Sequence, residues 1–303
     1  MAGFGLLLST ALLFAVAAPS NAAVGKPRIV KAVTSATGPA VLSVTATCPR
    51  DTGGKSPWLA LSGGFRLTRT TPGAVMPAER RAVVFESRRV GARSWRVSAQ
   101  SLEGAATLQG FANCQRNVPK PRAITSKILT PGEDRLGPAT TAQCPSGRAV
   151  SGGFATPPPL GSGEAANAVV DLFPTGTRAW RARVVSNQQS SLTVFSYCAQ
   201  RQRKPQIKTA AADPLATATA DNTETRSATG RCPARRVSPG GGGFRQPSAT
   251  ASQYLLPRFS MQRPVFVGSG PSGTVYGGEV WQAEGLKVGD GTPVTLTAVA
   301  LCG

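Results

Sequence analysis

The chain has 303 residues, with 34 Lys plus Arg against 14 Asp plus Glu, a formal charge of +20 and no histidine. A hydrophobic content of 41% is enough for a packed core and argues against a fully disordered polybasic chain. The lack of histidine excludes serine-histidine and cysteine-histidine catalysis, and every zinc site that needs imidazole.

The first 22 residues have the pattern of a secretory signal peptide. They carry no charged side chain, the stretch from Phe4 to Ala18 is almost wholly apolar, and small residues follow at Ser20-Asn21-Ala22. An uncleaved membrane anchor is the alternative, but an apolar run of about 15 residues is shorter than the ~20 that span a bilayer. We therefore expect a signal peptide at 1–22 and a secreted, extracellular mature chain.

Five sequence markers recur three times in one order along the mature chain. Each repeat has a Lys-Pro start, a Cys-Pro pair, a glycine turn ending in Phe, one late Trp and a closing Cys. The distances from Phe to Trp are 30, 26 and 37 residues, and those from Trp to Cys are 19, 18 and 21. We predict β repeats at 23–119, 120–203 and 204–303, each the size of a small domain.

The six cysteines of the mature chain predict three disulfides. An even number of cysteines in an exported chain is typical of disulfide-bonded proteins, although six cysteines allow 15 pairings. If each repeat is self-contained, only one pairing per repeat remains. The predicted bonds are Cys48–Cys114, Cys144–Cys198 and Cys232–Cys302.

The local pattern predicts β-strands throughout. Apolar residues alternate with small or polar ones at 107–112, 192–197 and 294–299, and Gly and Pro recur as turn residues. No segment keeps a helical period for three turns without Gly or Pro. We predict an all-β fold of three tandem disulfide-stapled units, arranged either as one body with pseudo-threefold symmetry and one sheet per repeat, as in a β-prism, or as three sandwich-like domains.

The tryptophans and the glycine turns are expected to be structural. Strand alternation places Trp95 and Trp180 on the apolar face of their segments. Trp58 lies in an insertion of the first repeat, where it either plugs a loop or makes an exposed contact. The Ser-Gly-Gly-Phe turns lack the residues of a nucleophile elbow or a phosphate loop. Their glycines are expected to permit a bulge, a positive φ or a close approach of two backbones.

Carboxylates are the remaining route to catalysis. Glu86 and Asp171 each lie nine residues before the tryptophan of their repeat, whereas the third repeat has Ser272 at this spacing. A glycosidase needs two acids, and no further spacing links these two. We therefore expect no enzyme, no catalytic residue, no metal and no cofactor.

The positive charge is concentrated in the first repeat. Division of the mature chain after Arg122 and Gln206 gives net charges of +12, +5 and +3. The candidate polyanion contact comprises six arginines in one short stretch: Arg80, Arg81, Arg88, Arg89, Arg93 and Arg96. Such a field favours an anionic cell-wall polymer, an acidic glycan or a membrane surface. Specific nucleic-acid binding is not expected, because aromatic residues do not alternate regularly with the arginines. The alternative is that the charge reflects composition alone, since the chain has 26 Arg against 8 Lys.

The order Cys-Pro, Gly-Gly-Phe, Trp and closing Cys resembles a module of exported proteins from high-GC Gram-positive bacteria. That module occurs in chains of uncharacterised function and beside collagen-like and cell-surface proteins, and it carries no catalytic residues to transfer. The function we expect is a secreted, non-enzymatic binding or structural module at the cell surface or in the extracellular space. The first alternative is a lectin-like carbohydrate-binding protein of β-prism type, and the second is a secreted carboxylate-dependent hydrolase.

Overall fold

The computed structural model describes residues 28–50, 56–69, 82–101, 104–130, 135–158, 167–186, 189–200, 206–211, 225–232, 241–250, 254–270, 273–288 and 294–302. The predicted signal peptide at 1–22 and the candidate contact residues Arg80 and Arg81 lie outside these ranges. Every regular element within them is a strand, so the predicted all-β class is confirmed. Within the same ranges, no helix is long and apolar enough to cross a membrane.

The first repeat forms six strands. They are β1 (Arg28–Ala36), β2 (Ala40–Thr47), β3 (Leu59–Arg69), β4 (Val83–Arg89), β5 (Ser94–Ser101) and β6 (Ala106–Gln115). The alternation predicted around the tryptophan is present in β5, where Trp95, Val97 and Ala99 are at most 1% exposed. Hydrophobic burial of one strand face therefore orients this strand, as its sequence pattern requires.

The other two repeats follow the same order. The second forms β7 (Arg122–Thr130), β8 (Arg135–Leu136), β9 (Thr140–Gln143), β10 (Arg148–Ala155), β11 (Asn167–Thr175), β12 (Ala179–Ser186) and β13 (Ser190–Ala199). The third forms β14 (Gln206–Ala211), β15 (Thr225–Arg231), β16 (Gly242–Arg245), β17 (Tyr254–Gly270), β18 (Gly273–Val288) and β19 (Thr297–Cys302). The strands β8 and β9 together take the place that β2 has in the first repeat, because both pair with β12.

The strands assemble into three antiparallel sheets, and each sheet is shared by two repeats. Sheet A has the order β1-β6-β3-β17-β18-β15, and sheet B has the order β2-β5-β4-β10-β13-β7. Sheet C has the order β14-β19-β16-β11-β12-β8, with β9 also paired to β12. No repeat keeps its strands in a sheet of its own. Of the two arrangements that the sequence allows, this is the pseudo-threefold one, but each sheet is shared by two repeats, whereas one sheet per repeat was expected.

The repeats join in a cycle through three strand pairs. In sheet B, β4 pairs with β10, with Glu86 opposite Ala155. In sheet C, β11 pairs with β16, with Leu172 opposite Phe244. In sheet A, β17 pairs with β3 and so returns the third repeat to the first. With β8 and β9 counted as one strand, the fourth strand of each repeat thus pairs with a strand of the next repeat.

The first glycine of each Gly-Gly-Phe turn lies directly against the tryptophan of the same repeat. A Cβ added at Gly63, Gly152 or Gly242 would come within 2.2–2.3 Å of an indole carbon. In the first two repeats the strand register also shifts just before these glycines, which marks a bulge. The expected bulge is therefore confirmed in the first two repeats. A Cβ added at Gly63 or Gly242 would also lie 2.3 Å from a backbone carbonyl oxygen of the last strand, which is the expected close approach of two backbones. None of these glycines has a positive φ.

All three predicted disulfides are present, at Cys48–Cys114, Cys144–Cys198 and Cys232–Cys302. Each joins the segment after β2, β9 or β15 to the last strand of the same repeat, and thereby ties two different sheets together. The phenylalanines of the glycine turns fill the shared core: Phe65, Phe154 and Phe244 are each 1% exposed.

Equivalent small residues of the three repeats meet where the sheets converge. A Cβ added at Gly241 would lie 3.1 Å from the Cβ atoms of both Ser62 and Ser151. The Ser151 hydroxyl donates to the carbonyl of Leu61, and the amide of Gly241 donates to the carbonyl of Val150 at 2.9 Å. These contacts join the three repeats at the pseudo-threefold axis.

Candidate functional site

Two arginines of the predicted polyanion contact converge on one buried carboxylate. Glu86 on β4 is 7% exposed. Its Oε1 lies 2.5 Å from Arg88 Nε and 2.7 Å from Arg96 Nη2, and the Ser98 hydroxyl donates to Oε2 at 2.8 Å. Burial by itself raises the pKa of Glu86, but the hydrogen bonds from Arg96, Ser98 and Arg88 lower the pKa below 4.5. The carboxylate is therefore ionised at neutral pH and offsets one of the two guanidinium charges.

Arg89 connects the first repeat to the second. Its Nη2 donates to the carbonyl of Pro121, and its backbone N–H donates to the Tyr197 hydroxyl at 2.7 Å. Its guanidinium carbon lies 4.7 Å from the centroid of the Tyr197 ring. Burial lowers the pKa of Arg89 and raises the pKa of Tyr197 to about 12, so the tyrosine stays neutral. These bonds give Arg89 a structural role at the junction of the two repeats.

Arg93 holds the corner that carries the first disulfide. Its Nη2 donates to the carbonyl of Cys48, and its own carbonyl accepts from the amide of Cys48 at 2.8 Å. The second repeat has the same arrangement, in which Arg178 Nη2 donates to the carbonyl of Cys144 at 2.9 Å. Repetition of the bond in two repeats indicates that these arginines position the disulfide segment.

Arg88 also contacts an aromatic ring from the second repeat. Its guanidinium carbon lies 5.4 Å from the ring centroid of Phe195 on β13, although β10 runs between the two strands. The register places Gly153 between the two residues, and a Cβ there would lie 3.3 Å from the Cβ of Arg88. The lack of a side chain at Gly153 leaves the arginine room to reach across β10. Phe85 and Trp95 within the arginine stretch are both buried, so the aromatic neighbour of Arg88 comes from 107 residues further along the chain.

A further cation lies on the same outer face. Lys127 on the edge strand β7 is exposed and pairs with Thr193, which pairs in turn with Ala155 and then Glu86 across the sheet. Three strand spacings separate Lys127 from Glu86, which is about 14 Å. We call Arg88, Arg96, Lys127 and Phe195 the basic face of sheet B. Sequence reasoning found its two arginines and missed Lys127 and Phe195, because only strand pairing brings them near.

Asp171 occupies the position of Glu86 in sheet C. It is 4% exposed, accepts from the amide of Gln246 at 2.6 Å and lies 2.8 Å from Arg183 Nε. Burial raises the pKa of Asp171, and the bonds from Gln246 and Arg183 only partly oppose this effect. Glu86 and Asp171 thus lie in different sheets, each beside its own arginine.

At the position of Glu86 and Asp171, the third repeat has a residue other than Ser272, which the nine-residue spacing before tryptophan predicts. The register places Phe259 opposite both Arg66 and Glu284, where Glu86 and Asp171 lie in the other sheets. Ser272, nine residues before Trp281, falls instead between β17 and β18 and outside the described residues. The long hairpin of the third repeat shifts the spacing. Among the described residues, no group of three or more Cys, Asp or Glu could hold a metal ion.

The tryptophans are structural, as expected for Trp95 and Trp180. The indole N–H groups of Trp95 and Trp281 donate to the hydroxyls of Ser87 and Ser260, each at 3.0 Å. Trp58 is partly buried against the core, and the Arg116 guanidinium lies 4.5 Å from its ring centroid. Of its two expected roles, Trp58 therefore has the one in which its side chain packs beneath a loop and makes no exposed contact.

Two shallow grooves occupy equivalent positions in the first two repeats. Each lies where the end of the first strand meets the start of the last strand, with Ser35 paired to Thr107 in one repeat and Leu129 paired to Ser191 in the other. The first groove has a volume of about 600 Å³ and is lined by Ser35, Ala36, Thr37, Gly38, Pro39, Ala40, Ala105 and Thr107. The second groove has a volume of about 370 Å³ and is lined by Lys127, Leu129, Pro157, Pro158, Asn167, Gln189, Ser190 and Ser191.

Most of the charged residues with described side chains are basic. Nineteen Lys and Arg have described side chains, and none of them is buried. Only two acids, Glu86 and Asp171, have described side chains, and both are buried. Comparison of the chain with protein-family models, curated proteins and solved structures finds no match.

Proposed function

We propose that this protein is a secreted, non-enzymatic binding protein that contacts an anionic polymer through the basic face of sheet B. One observation carries the proposal: Arg88 and Arg96 stay partly exposed on one sheet face while the carboxylate that they share, Glu86, is buried, in a chain with a formal charge of +20. A cationic surface attracts polyanions over a distance of about one Debye length, roughly 8–10 Å at physiological salt.

Besides its charge, the basic face has guanidinium groups in fixed positions and an apolar ring beside them. The side chains of Arg88 and Arg96 are 28% and 37% exposed, so their guanidinium groups remain accessible while Glu86 fixes their positions. Guanidinium groups bind carboxylate and phosphate oxygens in a bidentate manner. Phe195 beside Arg88 adds an apolar surface. A fixed pair of arginines loses little side-chain entropy when a polymer binds.

An alternative explanation assigns the exposed cations to protection of the sheet edges. Lys127 lies on β7, which is an outer strand of sheet B, and lysine on an edge strand opposes pairing between molecules. This role predicts that loss of the lysine causes self-association and leaves polymer binding unchanged. Polymer binding and oligomeric state are therefore measured on the same samples.

The test measures binding of the mature chain to polyphosphate, to an oligouronate and to vesicles with anionic lipids. We expect binding to all three at about 20 mM salt and a loss of more than tenfold in affinity at about 500 mM salt, because salt screens exposed charges. Absence of binding at low salt, or an affinity that salt leaves unchanged, would overturn the proposal.

A matched pair of triple variants locates the surface. Glu86→Gln, Arg88→Gln and Arg96→Gln together remove two cations and one anion from sheet B. Asp171→Asn, Arg181→Gln and Arg183→Gln remove the same charges from sheet C. Removal of the acid with its arginines avoids an unpaired buried carboxylate. We expect the sheet B variant to weaken polyphosphate binding about tenfold and the sheet C variant to weaken it much less. Equal losses in the two variants would contradict placement of the site on sheet B.

A further inference from the structure

The second groove differs from the first in a buried chain of hydrogen bonds beneath it. Thr130 donates to Ser186 at 3.3 Å, Ser186 donates to Asn167 Oδ1 at 2.7 Å, and Asn167 Nδ2 donates to the Ser190 hydroxyl oxygen at 3.1 Å. Thr130, Ser186 and Asn167 are at most 2% exposed. Asn167 and Ser190 line the groove, so the chain of bonds ends at its surface.

The first repeat builds the same backbone without these polar groups. Ala36 pairs with Ala106 where Thr130 pairs with Ser190. Ala82, which directly precedes the first residue of β4, takes the place of Asn167. The fold therefore does not require the polar chain, since alanines serve at three of its four positions. Burial of polar groups in place of alanine has no packing benefit, which points to a role at the groove surface.

The polar chain fixes a donor at the floor of the groove. The Ser190 oxygen accepts the bond from Asn167, and among the described residues its hydroxyl hydrogen has no acceptor, so it can donate to a bound molecule. Because Asn167 is itself held by Ser186, the donor is oriented before a ligand arrives. Gln189 and Ser191 place further amide and hydroxyl groups at the rim.

The rest of the lining supplies an apolar surface and one positive charge. Leu129 is 67% exposed, and Pro157 and Pro158 are exposed beside it. The first repeat has Ser35 at the position of Leu129 and Val33 at the position of Lys127. The second groove thus combines hydroxyl and amide groups, an apolar patch and an ammonium group. Its volume of about 370 Å³ lies within the range of roughly 300–1,000 Å³ that is usual for small-molecule sites.

We infer that the second groove binds one sugar residue that bears a carboxylate, as a unit of an acidic glycan. Ring hydroxyls pair with Ser190, Gln189 and Ser191, the apolar face of the ring packs on Leu129 and the prolines, and the carboxylate pairs with Lys127. This inference rests on the proposed function, and it names the class of polymer that binds there.

The test uses variants that introduce the residues of the first repeat. The full mature chain is titrated with an oligouronate, with its neutral methyl ester and with polyphosphate. Asn167→Ala with Ser190→Ala should weaken oligouronate binding about tenfold, since it removes both the Ser190 donor and the amide that orients it, and should leave polyphosphate binding unchanged. Leu129→Ser and Lys127→Val should each weaken oligouronate binding as well. The control is Ser35→Ala with Thr107→Ala in the first groove, which should change nothing.

The outcomes separate this inference from the proposed function. If the groove variants bind the oligouronate as tightly as the unaltered chain does, the groove assignment is wrong, while polyphosphate binding at low salt still supports the proposed function. If the neutral ester binds as tightly as the acid, the assignment of an acidic sugar is wrong. Absence of binding to every polyanion would overturn the proposed function itself. Leu129→Ser alters an exposed side chain only, so it stays informative if the buried double variant fails to fold.

Discussion

The first and second repeats place the same side chains on the same strands but surround them with different polar partners. Glu86 is held by two arginines and a serine, whereas Asp171 is held by one arginine and a backbone amide. Ser87 accepts the indole N–H of Trp95, whereas Leu172 takes that position in the second repeat, and the indole N–H of Trp180 has no partner among the described residues.

The difference separates two kinds of residue in one architecture. The glycines, tryptophans, phenylalanines and cysteines are common to all the repeats, and they fix how the sheets meet. The residues at the junctions vary from sheet to sheet and set the charge of each outer face. Variants that affect both repeats equally should report on the architecture, and those that affect one repeat should report on its particular surface.

The largest effect is expected from removal of a disulfide, and it should be the same in both repeats. The bonds span 66 residues in the first repeat and 54 in the second. Chain entropy then gives a loss of about 4 kcal/mol in the free energy of unfolding for either pair changed to alanine, with a difference of only about 0.2 kcal/mol between them. Urea unfolding followed by tryptophan fluorescence measures both values. A loss confined to one repeat would break the equivalence.

Next in size is the effect of a methyl group at the first glycine of each turn. Gly63→Ala and Gly152→Ala place a Cβ within 2.3 Å of Trp95 and Trp180, which are fully enclosed. Overpacking should lower the free energy of unfolding by about 3 kcal/mol or more in each case. Gly38→Ala is the control, because no atom lies within 4 Å of the added Cβ. Wild-type stability in either turn variant would show that the indole does not need the glycine.

A smaller loss should appear in the first repeat alone. Ser87→Ala leaves the buried indole N–H of Trp95 without its acceptor and should lower the free energy of unfolding by about 1–2 kcal/mol. The second repeat already has Leu172 here and so has no corresponding bond to lose. The exposed Ser146→Ala serves as a control and should change stability by less than about 0.5 kcal/mol. Equal stabilities of the Ser87 and Ser146 variants would count against the indole bond.

The smallest expected effect is on the pH dependence of stability, which variants of Glu86 and Asp171 should change in opposite directions. The folded pKa of Glu86 is lowered, so its contribution is present above pH 4.5 and is lost as the pH falls through the folded value. The folded pKa of Asp171 is raised, so its contribution is present below pH 3.8 and is lost as the pH rises through the folded value. Between pH 7 and pH 3, Glu86→Gln should therefore lose less stability than the unaltered chain, and Asp171→Asn should lose more. The same direction in both variants would contradict the opposite environments.

How far the sequence predicts this molecule depends on the range of the signal. Strand alternation around Trp95 is a pattern within one repeat, and the two cysteines of each repeat recur at the same places in all three. The all-β class and the disulfides follow from these patterns. The pairing of β4 with β10 joins two repeats, and no local pattern specifies it. In the sequence, Arg88 is therefore one of a group of arginines with no indication of Phe195, and only the register brings Phe195 within 5.4 Å. Spacing also fails where a hairpin changes length, as with Ser272 and Phe259.

The cyclic pairing of the repeats also constrains the order in which the chain can fold. The edge of β3 at Arg66 stays unpaired until Phe259, 193 residues later, pairs with it and completes sheet A. The first repeat therefore has an unpaired strand edge until almost the whole chain has been synthesised. Contacts so distant in sequence slow folding, and an open edge invites pairing with another molecule. A chain truncated after the second repeat would carry two such edges, at β3 and at β11, and each is a place where another chain could bind.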